Sequence, residues 1–174
     1  MNALSRRLAL TLAAGAITGI AASALGQGKT LKEQIVGTWT FVSAYDVHAD
    51  GTETDRWGPN AKGVFMFDRD GRFVQMISRS DIAPFAAKRV DQGTPAEYKA
   101  VMVNVVASFG TYTVNEAERT VTTTVEGSLF PNLVGVAQKR RVVSLSASEL
   151  KYSNPVTTMG TTAEATWRRA APQN

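Results

Sequence analysis

Apolar and polar positions alternate every second residue in run after run of this chain, the period of a half-buried β-strand. The first such run, residues 35–47, is rich in β-branched and aromatic side chains. Read at period two, Trp39, Phe41, Ser43 and Tyr45 share one face, and Thr38, Thr40, Val42 and Ala44 the other. Large rings on one side and small or hydroxylated groups on the other predict that the first face looks into a core or cavity. Residues 63–67 and 72–77 predict a hairpin, because Asp68-Arg69-Asp70-Gly71 between them suits a type I turn with glycine in the left-handed position. That turn pairs Phe67 with Phe73 and Phe65 with Gln75, and places Met66 with Val74 and Val64 with Met76 on the opposite face. Both faces are largely apolar, so the hairpin is expected to be covered on both sides. Further strands are predicted at 110–114, 119–126, 139–146, 150–153 and 161–169, the last with Ala163, Ala165 and Trp167 on one face.

Two segments follow other rules. Residues 31–34 suit a single helical turn. After a long connection at 78–93, whose length suits a lid, Thr94 caps a helix, with Pro95 at its first position and Glu97 completing a capping box. Tyr98, Val101, Met102, Val105 and Phe109 then fall at helical spacing and predict a stripe that packs against the sheet. The chain thus reads as all-β, with about eight strands and one inserted α-helix. Successive strands are joined by turns rather than crossover helices, so the sheet is antiparallel. Eight antiparallel strands remove their edges by closing into a barrel, whose interior holds side chains or one small ligand.

Residues 1–26 break the pattern. Arg6-Arg7 precede an apolar run at 8–20, and small residues follow at Ala22-Ser23-Ala24 and Ala24-Leu25-Gly26. This reads as an export signal peptide, leaving 27–174 as the barrel domain of a periplasmic or secreted protein without a stable membrane anchor. Ser5-Arg6-Arg7 resembles part of a twin-arginine signal, so the Sec and twin-arginine routes both stay open.

Composition narrows the chemistry. The 174 residues contain no cysteine and one histidine, His48. Disulfides, thiolate metal sites and histidine-rich metal sites are therefore excluded, and neither a metal nor a cofactor is indicated. The formal charge of +4 includes Arg6 and Arg7; without residues 1–26 there are 17 basic and 15 acidic residues. So small an excess does not argue for nucleic acid. No Gly-rich phosphate loop and no Gly-x-Ser-x-Gly elbow is present.

Several segments carry a resemblance. Gly37-Thr38-Trp39 on the first strand looks like the opening motif of the lipocalins. Together with Gly58-Pro59-Asn60-Ala61-Lys62-Gly63, Asp70-Gly71-Arg72-Phe73, residues 109–114 and the run 126–135 continuing to Gln138-Lys139-Arg140-Arg141, it is similar to the bacterial and fungal lipocalin-like domain family over residues 35–167. The resemblance implies a lipocalin-like barrel in which Gly37 and Trp39 form the floor and an arginine of the last strand, Arg168 or Arg169, packs over the tryptophan. Thr123 and Thr124 stand where some members are associated with histidines, so no acid–base role follows from those positions.

The candidate wall residues for a ligand are Tyr45, Phe65, Phe67, Gln75 and Tyr112, with Glu126 and Arg140 as the charged pair. Arg140 shares a face with Gln138 and Val142. An inward arginine needs a partner, and Glu126 or the anionic group of a ligand would supply it. The reading favoured is an exported barrel that binds a small hydrophobic or amphipathic molecule, as a monomer or homodimer. A barrel enzyme of cyclase or isomerase type, and a filled barrel that binds a protein, are the alternatives. If the chain is a catalyst, its acid–base groups are carboxylates, Tyr, Lys or His48.

Overall fold

The computed structural model describes residues 28–171. Helix α1 (Leu31–Ile35) leads into nine strands: β1 (Gly37–Val47), β2 (Glu53–Asp55), β3 (Lys62–Phe67), β4 (Arg72–Ser78), β5 (Val105–Asn115), β6 (Thr120–Ser128), β7 (Ala137–Leu145), β8 (Glu149–Asn154) and β9 (Thr162–Arg169). Helix α2 (Pro95–Asn104) runs straight into β5. All pairings are antiparallel, and β1 pairs with both β3 and β9. Eight strands, β1 and β3–β9, therefore close into a barrel; β2 only flanks the last residues of β1. The closed antiparallel barrel predicted from the turn-linked strands is what forms.

The β3–β4 hairpin has the predicted register, Phe65 opposite Gln75 and Phe67 opposite Phe73. Gly71 takes the left-handed turn position at φ +87°. The hairpin's outer face is not covered: Met66, Val74 and Met76 remain 45%, 47% and 45% exposed, because no element among the described residues packs outside these strands. The β1 pattern also needs correction. A β-bulge between Phe41 and Ser43 in the pairing with β9 inserts Val42 as an extra residue and flips the side-chain alternation. Trp39 points inward as predicted, but beyond the bulge Ala44 turns inward and Tyr45 faces solvent.

One end of the barrel is solid. Trp39, Phe67, Phe73, Tyr112, Val121 and Leu150 are all buried there. Ring centroids lie 4.2 Å apart for Phe65–Phe67 and 5.0 Å for Phe67–Tyr112. Each such side chain contributes about 1.5–3 kcal/mol by leaving water. Helix α1 plugs this end with Leu31 and Ile35. Thr30 and Glu33 form its capping box, and Glu116 from the β5–β6 turn accepts from the next two amides, Leu31 and Lys32, at 2.8 and 2.9 Å.

The arginine over the floor tryptophan is Arg169, not Arg168. Its guanidinium carbon lies 4.1 Å from the Trp39 ring centroid, and it donates to the carbonyls of Gln34, Val36 and Ala147. Arg168 is exposed, since strand alternation sends the neighbour of an inward-reaching residue outward. Gly37 is required beneath this arginine: φ is +130°, and a Cβ there would lie 2.6 Å from Arg169 Nη1.

Helix α2 starts as predicted, with Thr94 and Glu97 forming the capping box and Pro95 in the first turn. It ends at Asn104, and none of its residues is buried. The helical stripe is overturned because Val105–Asn115 form a strand paired with β4, from Ser78 opposite Val105 to Arg72 opposite Thr111. The connection at 79–93 folds back onto α2: Tyr98 donates from its hydroxyl to the Val90 carbonyl and its ring packs on Phe85 at 5.4 Å.

Candidate functional site

Side-chain size along the barrel axis decides where space remains. Below mid-height the inward positions are rings, leucine and valine. Above it they include Ala44, Ser108, Ala163 and Ala165, which are too short to meet across the barrel. The result is an inner cavity of about 70 Å³ with these four residues in its wall. Above it an apolar cleft of about 210 Å³ opens at the barrel mouth, lined in part by Met102, Val103, Leu129, Phe130 and Met159. Arg56, Val106, Leu133 and Thr158 border both spaces. Buried Trp57 closes one side of the inner cavity, with the Arg56 guanidinium 5.0 Å over its ring.

The inner cavity rests on a polar layer built around Arg140, which is only 4% exposed. Its Nη1 donates to Thr123 Oγ1 at 2.6 Å, and its Nη2 donates to Gln75 Oε1 and Gln138 Oε1, both at 3.1 Å. Thr123 lies opposite Gln138 across β6 and β7, and its hydroxyl in turn donates to the Gln138 carbonyl. The guanidinium also lies 5.6 Å from the Phe65 ring and 5.7 Å from that of Tyr152, a stacked, charged environment that arginine tolerates better than lysine. No carboxylate approaches it: among the described residues, none of the five ion pairs includes Arg140. Its Nε–H has no hydrogen-bond partner, and neither has the indole N–H of Trp167.

Of the residues singled out in the sequence, Gln75 and Arg140 meet at this layer and line the cavity. Phe65 supports the guanidinium from below, whereas Phe67 and Tyr112 belong to the solid end. Tyr112 donates to the Asp68 carbonyl at 2.6 Å, and burial, with the nearby Asp68 charge, pushes its phenol above the ordinary value. Tyr45 is excluded from the interior by the β1 bulge. The Arg140–Glu126 pair does not form. Glu126 shares the outer face of β6 with Thr124 and binds Arg72 through two hydrogen bonds of 2.9 and 2.7 Å. The inward face is that of Val121, Thr123 and Val125, all buried. His48 is exposed and sits 2.9 Å from the Thr54 hydroxyl.

Sequence reasoning missed Thr123, and also Asp46, Arg56 and Trp57 in the wall of the inner cavity. The signal for Thr123 was present in the valines two residues to either side. Arg56 is partly buried, which lowers its pKa, while the Asp46 charge offsets this. The segment 78–93, read as a lid, borders neither space; the C-terminal end of α2 does.

A family model described as a lipocalin-like domain matches residues 36–170. Among solved structures, a lipocalin-like protein from Bacteroides uniformis is 14% identical, with 79% of this chain and 99% of that one covered and a TM-score of 0.41. Bovine odorant binding protein, solved in complex with a selenium-containing odorant, is 17% identical, with 84% and 76% covered and a TM-score of 0.42. A de novo designed fluorescence-activating β-barrel is 13% identical, with 82% and 100% covered and a TM-score of 0.43. No curated protein matches the chain significantly.

Proposed function

The chain belongs to the lipocalin-like domain family, and on that premise we propose that it is an exported binding protein that carries one small apolar or amphipathic molecule in the upper half of its barrel. The observation that carries this reading is the change in side-chain size with height: the barrel is packed with rings at one end, and at the other its wall includes the short side chains of Ala44, Ser108, Ala163 and Ala165. Interiors are normally close-packed, so a solid floor beneath an open, apolar-lipped space is the arrangement of a container rather than of a scaffold. The ligand enters between the end of α2 and the mouth residues Phe130 and Met159, and its apolar surface gains about 25 cal/mol for each Å² removed from water there. Export rests on residues 1–26, which lie outside the described residues, and on their sequence pattern alone.

The test is native mass spectrometry of the protein purified from its own host. A discrete added mass that disappears on denaturation is the expected result. A clean unliganded mass that persists after incubation with a mixed lipid and metabolite extract would overturn the carrier reading.

A further inference from the structure

We propose that the carried molecule is a monocarboxylate, held with its carboxylate against Arg140 in the inner cavity and its apolar tail in the mouth cleft. This rests on the carrier reading above and adds the chemical class of the ligand.

Three independent features converge on that class. The first is the hydrogen-bond balance of the interior. Among the described residues, the buried side-chain polar atoms without a partner are Arg140 Nε and Trp167 Nε1, and both are donors. Trp167 packs on the same two rings that Arg140 covers, 5.5 Å from Phe65 and 6.4 Å from Tyr152. The unused atoms of this sealed layer are thus donors, with Arg140 in the cavity lining and Trp167 behind it, so an accepting ligand group beside Arg140 suits the local balance.

The second is charge. Arginine stays protonated at any working pH, and a buried cation without a counter-ion is unfavourable. All three hydrogen-bond partners of Arg140 are neutral oxygens. The other charged residues of the cavity wall are Asp46 and Arg56, one of each sign. One positive charge is left over, which matches a single negative charge.

The third is size. The inner cavity of about 70 Å³ accommodates a small polar group, while the larger space, about 210 Å³, is the apolar cleft above it. Gln75 and Gln138 both accept from Nη2, so a carboxylate oxygen arriving at that nitrogen competes with neutral amide oxygens only. Both glutamines border the cavity. When a carboxylate takes over on the guanidinium, each glutamine is free to turn its amide NH₂ toward the ligand's second oxygen.

The experiment titrates 15N-labelled protein purified from its own host with octanoate, octanamide, octan-1-ol and sodium chloride. The readouts are calorimetric affinity and the arginine Nε–H and tryptophan indole N–H signals. The expected result is one site with octanoate bound about tenfold or more tightly than octanamide, the increment of a hydrogen bond to a charged group, together with a downfield shift of the Arg140 Nε–H. In Arg140→Met the preference disappears while octanamide affinity is kept. Should that variant not fold, the wild-type affinity ratio and the Nε–H shift decide alone. Equal affinities for octanoate and octanamide, or the same Nε–H shift with chloride, would overturn the carboxylate assignment and leave the carrier reading standing. Failure of all three eight-carbon probes to bind would overturn the carboxylate assignment, while the carrier reading stands or falls on the native mass spectrum.

Discussion

Arg169 provides the sharpest test of how the barrel is held shut, because its neighbour is an internal control. Replacing it by methionine keeps much of the aliphatic stem and removes the guanidinium. Lost are three hydrogen bonds to the carbonyls of Gln34, Val36 and Ala147 and the cation–π contact with Trp39 at 4.1 Å. The site is half-buried, so each hydrogen bond is taken at about 1 kcal/mol rather than the larger value for a fully desolvated charge. The cation–π contact adds about 0.5–1 kcal/mol. Arg169→Met is therefore expected to lose about 3–4 kcal/mol, a large share of the roughly 5–15 kcal/mol of a typical domain. At about 3 °C per kcal/mol for a domain of this size, the melting temperature falls by about 10 °C. Arg168→Met, one residue earlier and exposed, is expected to stay within about 0.5 kcal/mol of the parent. Arg169→Lys recovers less than half of the loss, because an ammonium lacks the planar fork that reaches three carbonyls. Urea unfolding followed by tryptophan fluorescence and circular dichroism measures all three. Equal losses for Arg168→Met and Arg169→Met, or a loss below about 1 kcal/mol for the latter, would refute the assignment of barrel closure to Arg169.

Three further outcomes are expected. Glu126→Gln disrupts only a half-exposed ion pair with Arg72, so stability changes by less than about 0.5 kcal/mol, and ligand occupancy seen by native mass spectrometry does not change; lost occupancy would return Glu126 to the site. The difference in alkaline absorbance titration between the protein and Tyr112→Phe shows a phenol titrating above about 10, as burial beside Asp68 dictates. Because the folded-state value is raised, the stability this residue contributes is whole below the unfolded value and is lost as pH rises through the folded one; a Tyr112 that titrates with exposed phenols would contradict its burial. N-terminal sequencing of the protein recovered from the host's periplasm or medium is expected to begin at residue 25 or 27, and an intact Met1 would remove the export reading.

The barrel was legible because turn chemistry and strand alternation point the same way. Asp68 to Gly71 dictate a turn, and the turn dictates the register of Phe65 and Phe67. Where the reading failed, one extra residue or a competing pattern was responsible. Tyr45 was misplaced because the bulge at Val42 is a property of the β1–β9 pairing and leaves no local mark. The helical stripe was misread because Val101 and Val105 fit both periods, and the pairing of β5 with β4 decided between them. At the site, Arg140 and Gln75 were placed inside correctly by alternation. Glu126 was not, because alternation says which residues share a face but not whether that face is inner or outer; the buried valines beside Thr123 answer that question. The mouth cleft is assembled from the end of α2, the start of β5 and two loops far apart in the chain, and nothing in the spacing of residues 102, 130 and 159 announces their meeting.

The separation of a packed floor from an open mouth has a kinetic consequence. The contacts that hold the barrel together, from Trp39 and Arg169 to helix α1, lie at the opposite end from the path proposed for a guest molecule. On that proposal, residence time is set at the lip, by the end of α2 and the segments near Phe130 and Met159, and does not require the floor to loosen. Exchange can be fast in a protein whose unfolding is slow, and substitutions at the lip can retune how long a guest stays without touching how long the barrel lasts.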